Sequence, residues 1–102
     1  MRNDDILIGH LLEDSWLTLE QAADACLVDP VWLRRRLQAG LFPRADCVAG
    51  LWRLDSAALS RARRMRGPER DFDAVPELAA LMADLMEEVD ALRARLRWAG
   101  LD

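Results

Sequence analysis

Apolar residues recur along this chain with a helical period in three places and a strand-like period in one. Leu19, Ala22, Ala23 and Cys26 follow one another at helical spacing. The helix they predict opens at Thr18, where Thr18-Leu19-Glu20-Gln21 matches a capping box: the threonine can cap, and Gln21 stands three residues on. A second start follows at Asp29-Pro30, a capping acid and a proline at the first helical position. Leu33 and Leu37 share one face of that second helix, and Gly40 ends it. Two short helices joined by a tight turn over residues 17–43 have the layout of a helix-turn-helix.

Beyond Gly40 the period shortens. Cys47-Val48 and Leu51-Trp52-Arg53-Leu54 flank Ala49-Gly50 and predict a small hairpin, a wing. Asp55-Ser56 caps a third helix reaching about Arg66, where Gly67-Pro68 stops it. Residues 67–73 then read as an acidic linker. From Val75 to Trp98 the apolar positions Val75, Leu78, Met82, Leu85, Val89, Leu92 and Leu96 alternate spacings of three and four. That is a heptad seam, widened in its first half by Leu81 and Met86. The domain plan is therefore 1–66, a linker at 67–73, and a C-terminal helix at 74–102. The apolar run Ile6 to Leu12 predicts a strand or ordered arm.

The seam can fold back on the front half or pair with a second copy. It runs past three heptads, more than a front half of some sixty residues can cover, so a homodimer is the expectation. Glu88 at g and Arg93 at the next e suit a parallel pair, but one contact does not fix the direction.

Charge changes the meaning of the helix-turn-helix. All fourteen basic residues are arginine, and the chain carries a formal charge of -4. Residues 1–66 hold ten arginines against nine acids, a net of +1, and residues 67–102 hold four against nine, a net of -5. DNA affinity rests on neutralising many phosphates. Candidate DNA contacts are Arg34, Arg35, Arg36, Trp52 and Arg53, but three consecutive arginines point around most of a helix and cannot all enter one groove.

Chemistry is sparse. His10 is the only histidine and adjoins no nucleophile motif. Cys26 and Cys47 lack metal-ligand spacing, and no glycine-rich phosphate loop is present. The chain reads as a non-enzyme without cofactor or metal. With no signal segment and no apolar run near membrane-spanning length, the cytoplasm is its expected compartment.

The order of elements resembles the MerR regulator family: helix-turn-helix, a wing ending in Trp52-Arg53-Leu54-Asp55, an arginine-rich helix, then a long helix. Leu33-Arg34 with Gly40-Leu41 and Pro43 is similar to that family's helix-to-wing phrase. The chain departs from it where Arg35-Arg36 stand for an aromatic pair and Leu37 for an acid. Over residues 15–97 it more closely resembles the bacterial CbpM chaperone-modulator family. That likeness runs from Leu17-Thr18-Leu19-Glu20 through Gly40-Leu41-Phe42-Pro43-Arg44 and Leu51-Trp52-Arg53-Leu54-Asp55. It continues to Arg63-Arg64-Met65-Arg66 and the leucine-rich helix.

The resemblance implies a mostly α, MerR-like winged helix-turn-helix fold with a small hairpin and a long C-terminal dimerisation helix. It implies a non-catalytic modulator that binds the J-domain of a CbpA-type co-chaperone and inhibits its work with DnaK. J-domains present a basic helix, so acids Glu69, Asp71, Asp73, Glu77 and Asp84 are the expected contacts. The dimer seam is Val75, Leu78, Met82, Leu85, Val89 and Leu92. A small MerR-type DNA-binding regulator is the alternative.

Overall fold

The structure is a computed structural model and describes residues 16–100. The apolar run at 6–12, with His10, lies outside the described residues. The fold is mostly helical, with one two-stranded hairpin and a long final helix.

Helix α1 spans Leu19–Cys26. Its capping box is complete: Gln21 N–H donates to Thr18 Oγ1 at 3.1 Å, and Thr18 N–H donates to Gln21 Oε1 at 3.0 Å. Such a cap stabilises a helix by about 1 kcal/mol. Leu19, Ala22, Ala23 and Cys26 are buried, as their spacing predicts, together with Ala25. Helix α2 spans Pro30–Gln38, with Asp29 Oδ1 accepting from Val31 N–H at 2.7 Å. Its buried residues are Leu33 and Leu37. Gly40, at φ +76°, turns the chain out of the helix while Leu41 N–H returns to Arg36 O.

The hairpin pairs β1, Asp46–Val48, with β2, Leu51–Arg53, antiparallel. Leu17 and Leu54 exchange backbone hydrogen bonds at 2.9 and 3.0 Å, fastening the hairpin to the segment before α1. The two turn residues, Ala49 at φ +52° and Gly50 at φ +77°, are both left-handed, the requirement of a type I′ turn. Alanine is strained there, whereas asparagine enters that region readily. Ala49→Asn is expected to raise stability by roughly 0.5–1 kcal/mol, read as a higher urea midpoint at unchanged slope.

Helix α3 spans Ser56–Phe72, capped by Asp55, whose Oδ1 accepts from Ala58 N–H at 2.9 Å. This corrects the expected stop at Gly67-Pro68: residues 67–72 are helix, not linker. A proline inside a helix costs about 3 kcal/mol in isolation. Tertiary contacts offset that cost. Pro68 is buried, its carbonyl accepts the capping N–H of Asp73 and that of Ala74, and Glu69 is tied to α2.

Helix α4 spans Pro76–Trp98. Its buried residues are Ala79, Ala80 and Ala83. They join a core whose fully buried large members are Leu33, Leu54, Leu59 and Met65. The small alanine side chains let α4 lie close along α3. The heptad seam does not fold back onto the described residues: Val75, Leu78, Leu85, Val89 and Leu92 are exposed and Met82 is half-buried.

Candidate functional site

Two groups of charged side chains are organised by the packing of these helices. The first joins α2 to the end of α3. Glu69 accepts from Trp32 Nε1–H at 3.2 Å and from Arg36 Nε–H at 3.3 Å, and Arg36 Nη2 also donates to Glu69 Oε1. The guanidinium of Arg36 lies 4.7 Å from the centre of the Trp32 ring. Only 15% of the Arg36 side chain and 12% of the Glu69 side chain is exposed. A bidentate pair stacked on an indole is among the stronger polar contacts a surface helix can make.

The second group joins α3 to α4. Arg61, only 6% exposed, donates through Nε to Leu41 O at 2.7 Å and through Nη2 to Ala80 O at 3.4 Å. Its Nη1 donates to both Glu87 oxygens at 3.1 and 3.0 Å and lies 2.8 Å from Asp84 Oδ1. One turn along, Arg64 pairs with Asp90. These pairs border a cleft of about 310 Å³ floored by Phe42, Ala45 and Ala58, with Arg44 at its edge. Arg61 is not among the residues the sequence singles out for a site; its one signal is its place three residues after Ala58 and four before Met65, on the face that α3 buries.

The residues expected to meet DNA are mostly engaged within the chain. Arg36 is turned inward. Arg34 lies 3.9 Å from Glu20, and Arg53 lies 3.2 Å from Asp46 with its guanidinium 5.1 Å from the Trp16 ring centre. Trp52 is half-buried against the core, opposite Cys47. Arg35 alone of the five is exposed with no ion-pair partner among the described residues.

The acids expected to meet a J-domain divide similarly. Glu69 is sequestered, which removes it from the exposed set. Asp84 is held by Arg61 yet keeps 56% of its side chain exposed. Asp71, Asp73 and Glu77 are exposed at the α3–α4 junction. Asp71 accepts from Arg70 at 2.9 Å, and that hydrogen bond holds its carboxyl below the usual carboxylate range while raising Arg70. The pair therefore persists on acidification and is lost only as the pH falls through that lowered value.

Among the described residues no cluster of His, Cys, Asp and Glu is placed to hold a metal, and no helix is long and apolar enough to cross a membrane. Compared with protein-family models, curated proteins and solved structures, the chain matches none.

Proposed function

We propose that this chain is a non-catalytic, cytoplasmic modulator that binds the J-domain of a CbpA-type co-chaperone and blocks its action with DnaK. The scaffold in this reading is a MerR-like winged helix-turn-helix: α1 and α2 are the helix pair and the hairpin is the wing. The observation that carries the reading is the inward turn of Arg36 onto Glu69. It takes a cation from the helix that would enter a DNA groove. Arg34 and Arg53 lean on acids of their own chain. The exposed acids Asp71, Asp73 and Glu77 at the α3–α4 junction, with Asp84 nearby on α4, suit a basic partner helix.

A titration calorimetry experiment with a purified J-domain tests this. Binding at micromolar concentration or tighter is expected, weakening as salt rises. Reversing Asp73 and Glu77 together to lysine is expected to weaken it about tenfold or more, since opposed like charges across an interface cost several kcal/mol. An absence of binding at micromolar concentration would sink the reading.

The alternative, a small DNA-binding regulator, draws on Arg35 and Arg44, both exposed. It predicts DNA binding whose affinity falls steeply with salt.

A further inference from the structure

The cleft of about 310 Å³ between the segment after α2, the first turns of α3 and the middle of α4 has no part in the co-chaperone reading. Its size lies at the small end for a ligand site, with room for one aromatic ring and a short chain. Its floor is apolar and built largely from small side chains: Ala45, Ala57 and Ala58 leave a slot beside Phe42. Phe42 is buried in the core, with the Arg61 guanidinium carbon 6.0 Å from its ring centre. The slot is therefore preformed.

The rim carries both signs, and the two are engaged differently. Its acids are Glu87 and Asp90. Glu87 accepts two hydrogen bonds from Arg61, and Asp90 is paired with Arg64. A cationic ligand would have to displace an arginine of α3 to reach either one. The donors are only partly used. Arg44 is exposed and has no ion-pair partner among the described residues. Arg64 gives Nη2 to Asp90, and its Nε and Nη1 have no partner among the described residues. Ser60, half-buried one turn before Arg64, has no partner for its hydroxyl there either. Free donors above an apolar slot suit an anion with an apolar body.

We propose that the cleft binds a small monocarboxylic acid that carries an aromatic ring. The carboxylate sits on Arg44, its principal contact, with Ser60 and the unused donors of Arg64 beside it. The ring fills the slot beside Phe42. A guanidinium fork matches the two oxygens of a carboxylate. A phosphate dianion fits less well, because two carboxylates stand on the same rim and repel the second charge. The occupant touches the segment after α2, α3 and α4 at once. Its binding therefore strengthens the seat of α4 on the rest of the fold.

This inference is independent of the co-chaperone reading, and its tests use the full chain without a protein partner. Titration with phenylpropionate, followed by backbone amide NMR, is expected to give saturable shifts at Ala45, Ala57 and Ser60 with a Kd of about 0.1–1 mM. Phenylpropanamide keeps the shape and loses the charge, and is expected to bind at least about fivefold more weakly. Arg44→Gln changes an exposed residue with no ion pair to lose. It is expected to weaken the acid about fivefold and to leave the amide unchanged. That contrast separates recognition of the carboxylate from a general loosening of the site. Ala57→Phe fills the slot and is expected to abolish binding of both compounds. The acid is also expected to raise the thermal midpoint of the native chain, since it binds only the folded state. Equal binding of acid and amide overturns the proposal, as does an Arg44→Gln chain that binds the acid like the native one. Shifts that map away from the cleft, or no saturation by about 10 mM, overturn it equally. Should Ala57→Phe fail to fold, the comparison at Arg44 still decides.

Discussion

Arg61→Ala is expected to lower the stability of the chain by about 2–4 kcal/mol, the largest loss for any single charged residue here. The guanidinium joins α3 to two other parts of the fold: Leu41 O after α2, and on α4 the carbonyl of Ala80 and the carboxylates of Asp84 and Glu87. Truncation removes all of these bonds and leaves space beneath the Phe42 ring, 6.0 Å from the guanidinium carbon. The two carboxylates contribute less than a buried pair does. Asp84 and Glu87 keep 56% and 45% of their side chains exposed, so water re-solvates them once the cation is gone. The loss comes mainly from the two backbone carbonyls and the packed stem. Arg61→Met, which keeps the stem, is expected to cost less than Arg61→Ala. Arg61→Lys is expected to recover only part of the loss, because a single ammonium cannot span the fork between Leu41 O and the acids. Urea denaturation ranks the three variants. A loss under about 0.5 kcal/mol for alanine, the scale of an ordinary surface change, would show that Arg61 holds nothing together.

The elements whose signals are local were legible in the sequence. Thr18 with Gln21, and Asp29 with Pro30, cap their helices through bonds between residues two or three apart, so no tertiary knowledge is needed. The hairpin is equally local, its turn being dictated by Ala49-Gly50. The heptad seam of α4 was legible as a stripe, and its exposure rules out folding back onto the described residues.

The misreadings at Gly67-Pro68, Glu69 and Arg36 have one physical source. Gly67-Pro68 is a sound stop signal by local propensity, and the helix passes through it because Pro68 is buried and Glu69 is anchored thirty-three residues away at Arg36. The same long-range pair moves Glu69 from the surface set and Arg36 from the groove-facing set. Composition marks both as charged, but only the packing of α3 beside α2 reveals that they neutralise each other. The alanine face of α4 was hidden for a different reason. Its members are small, so a pattern weighted by large apolar residues points to the leucine side and misses the side that is buried.

Glu69→Ala is expected to cost about 2–3 kcal/mol and to release the last turn of α3. The carboxylate is the described acceptor of both Trp32 Nε1–H and the Arg36 guanidinium, and its loss leaves a partly buried cation without its counter-charge. Breaking a fully buried pair from one side costs about 3–5 kcal/mol. The lower figure holds here because Arg36 lies near enough to the surface to swing toward water. Glu69 also lies one residue beyond Pro68, where the helix has lost a backbone donor. Without the anchor, residues 69–72 have little to offset the proline, so their amide hydrogen exchange is expected to rise while that of α1 stays unchanged. The indole N–H resonance of Trp32 is expected to move at the same time. Glu69→Gln keeps one acceptor for Trp32 but drops the charge, and is expected to fall between alanine and the native residue. A double-mutant cycle with Arg36→Ala separates the pair from the helix end. If the two residues act through each other, removing both costs less than the sum of the single losses, by about 1–2 kcal/mol. Strict additivity would mean that Glu69 stabilises the end of α3 by some route other than its hold on α2.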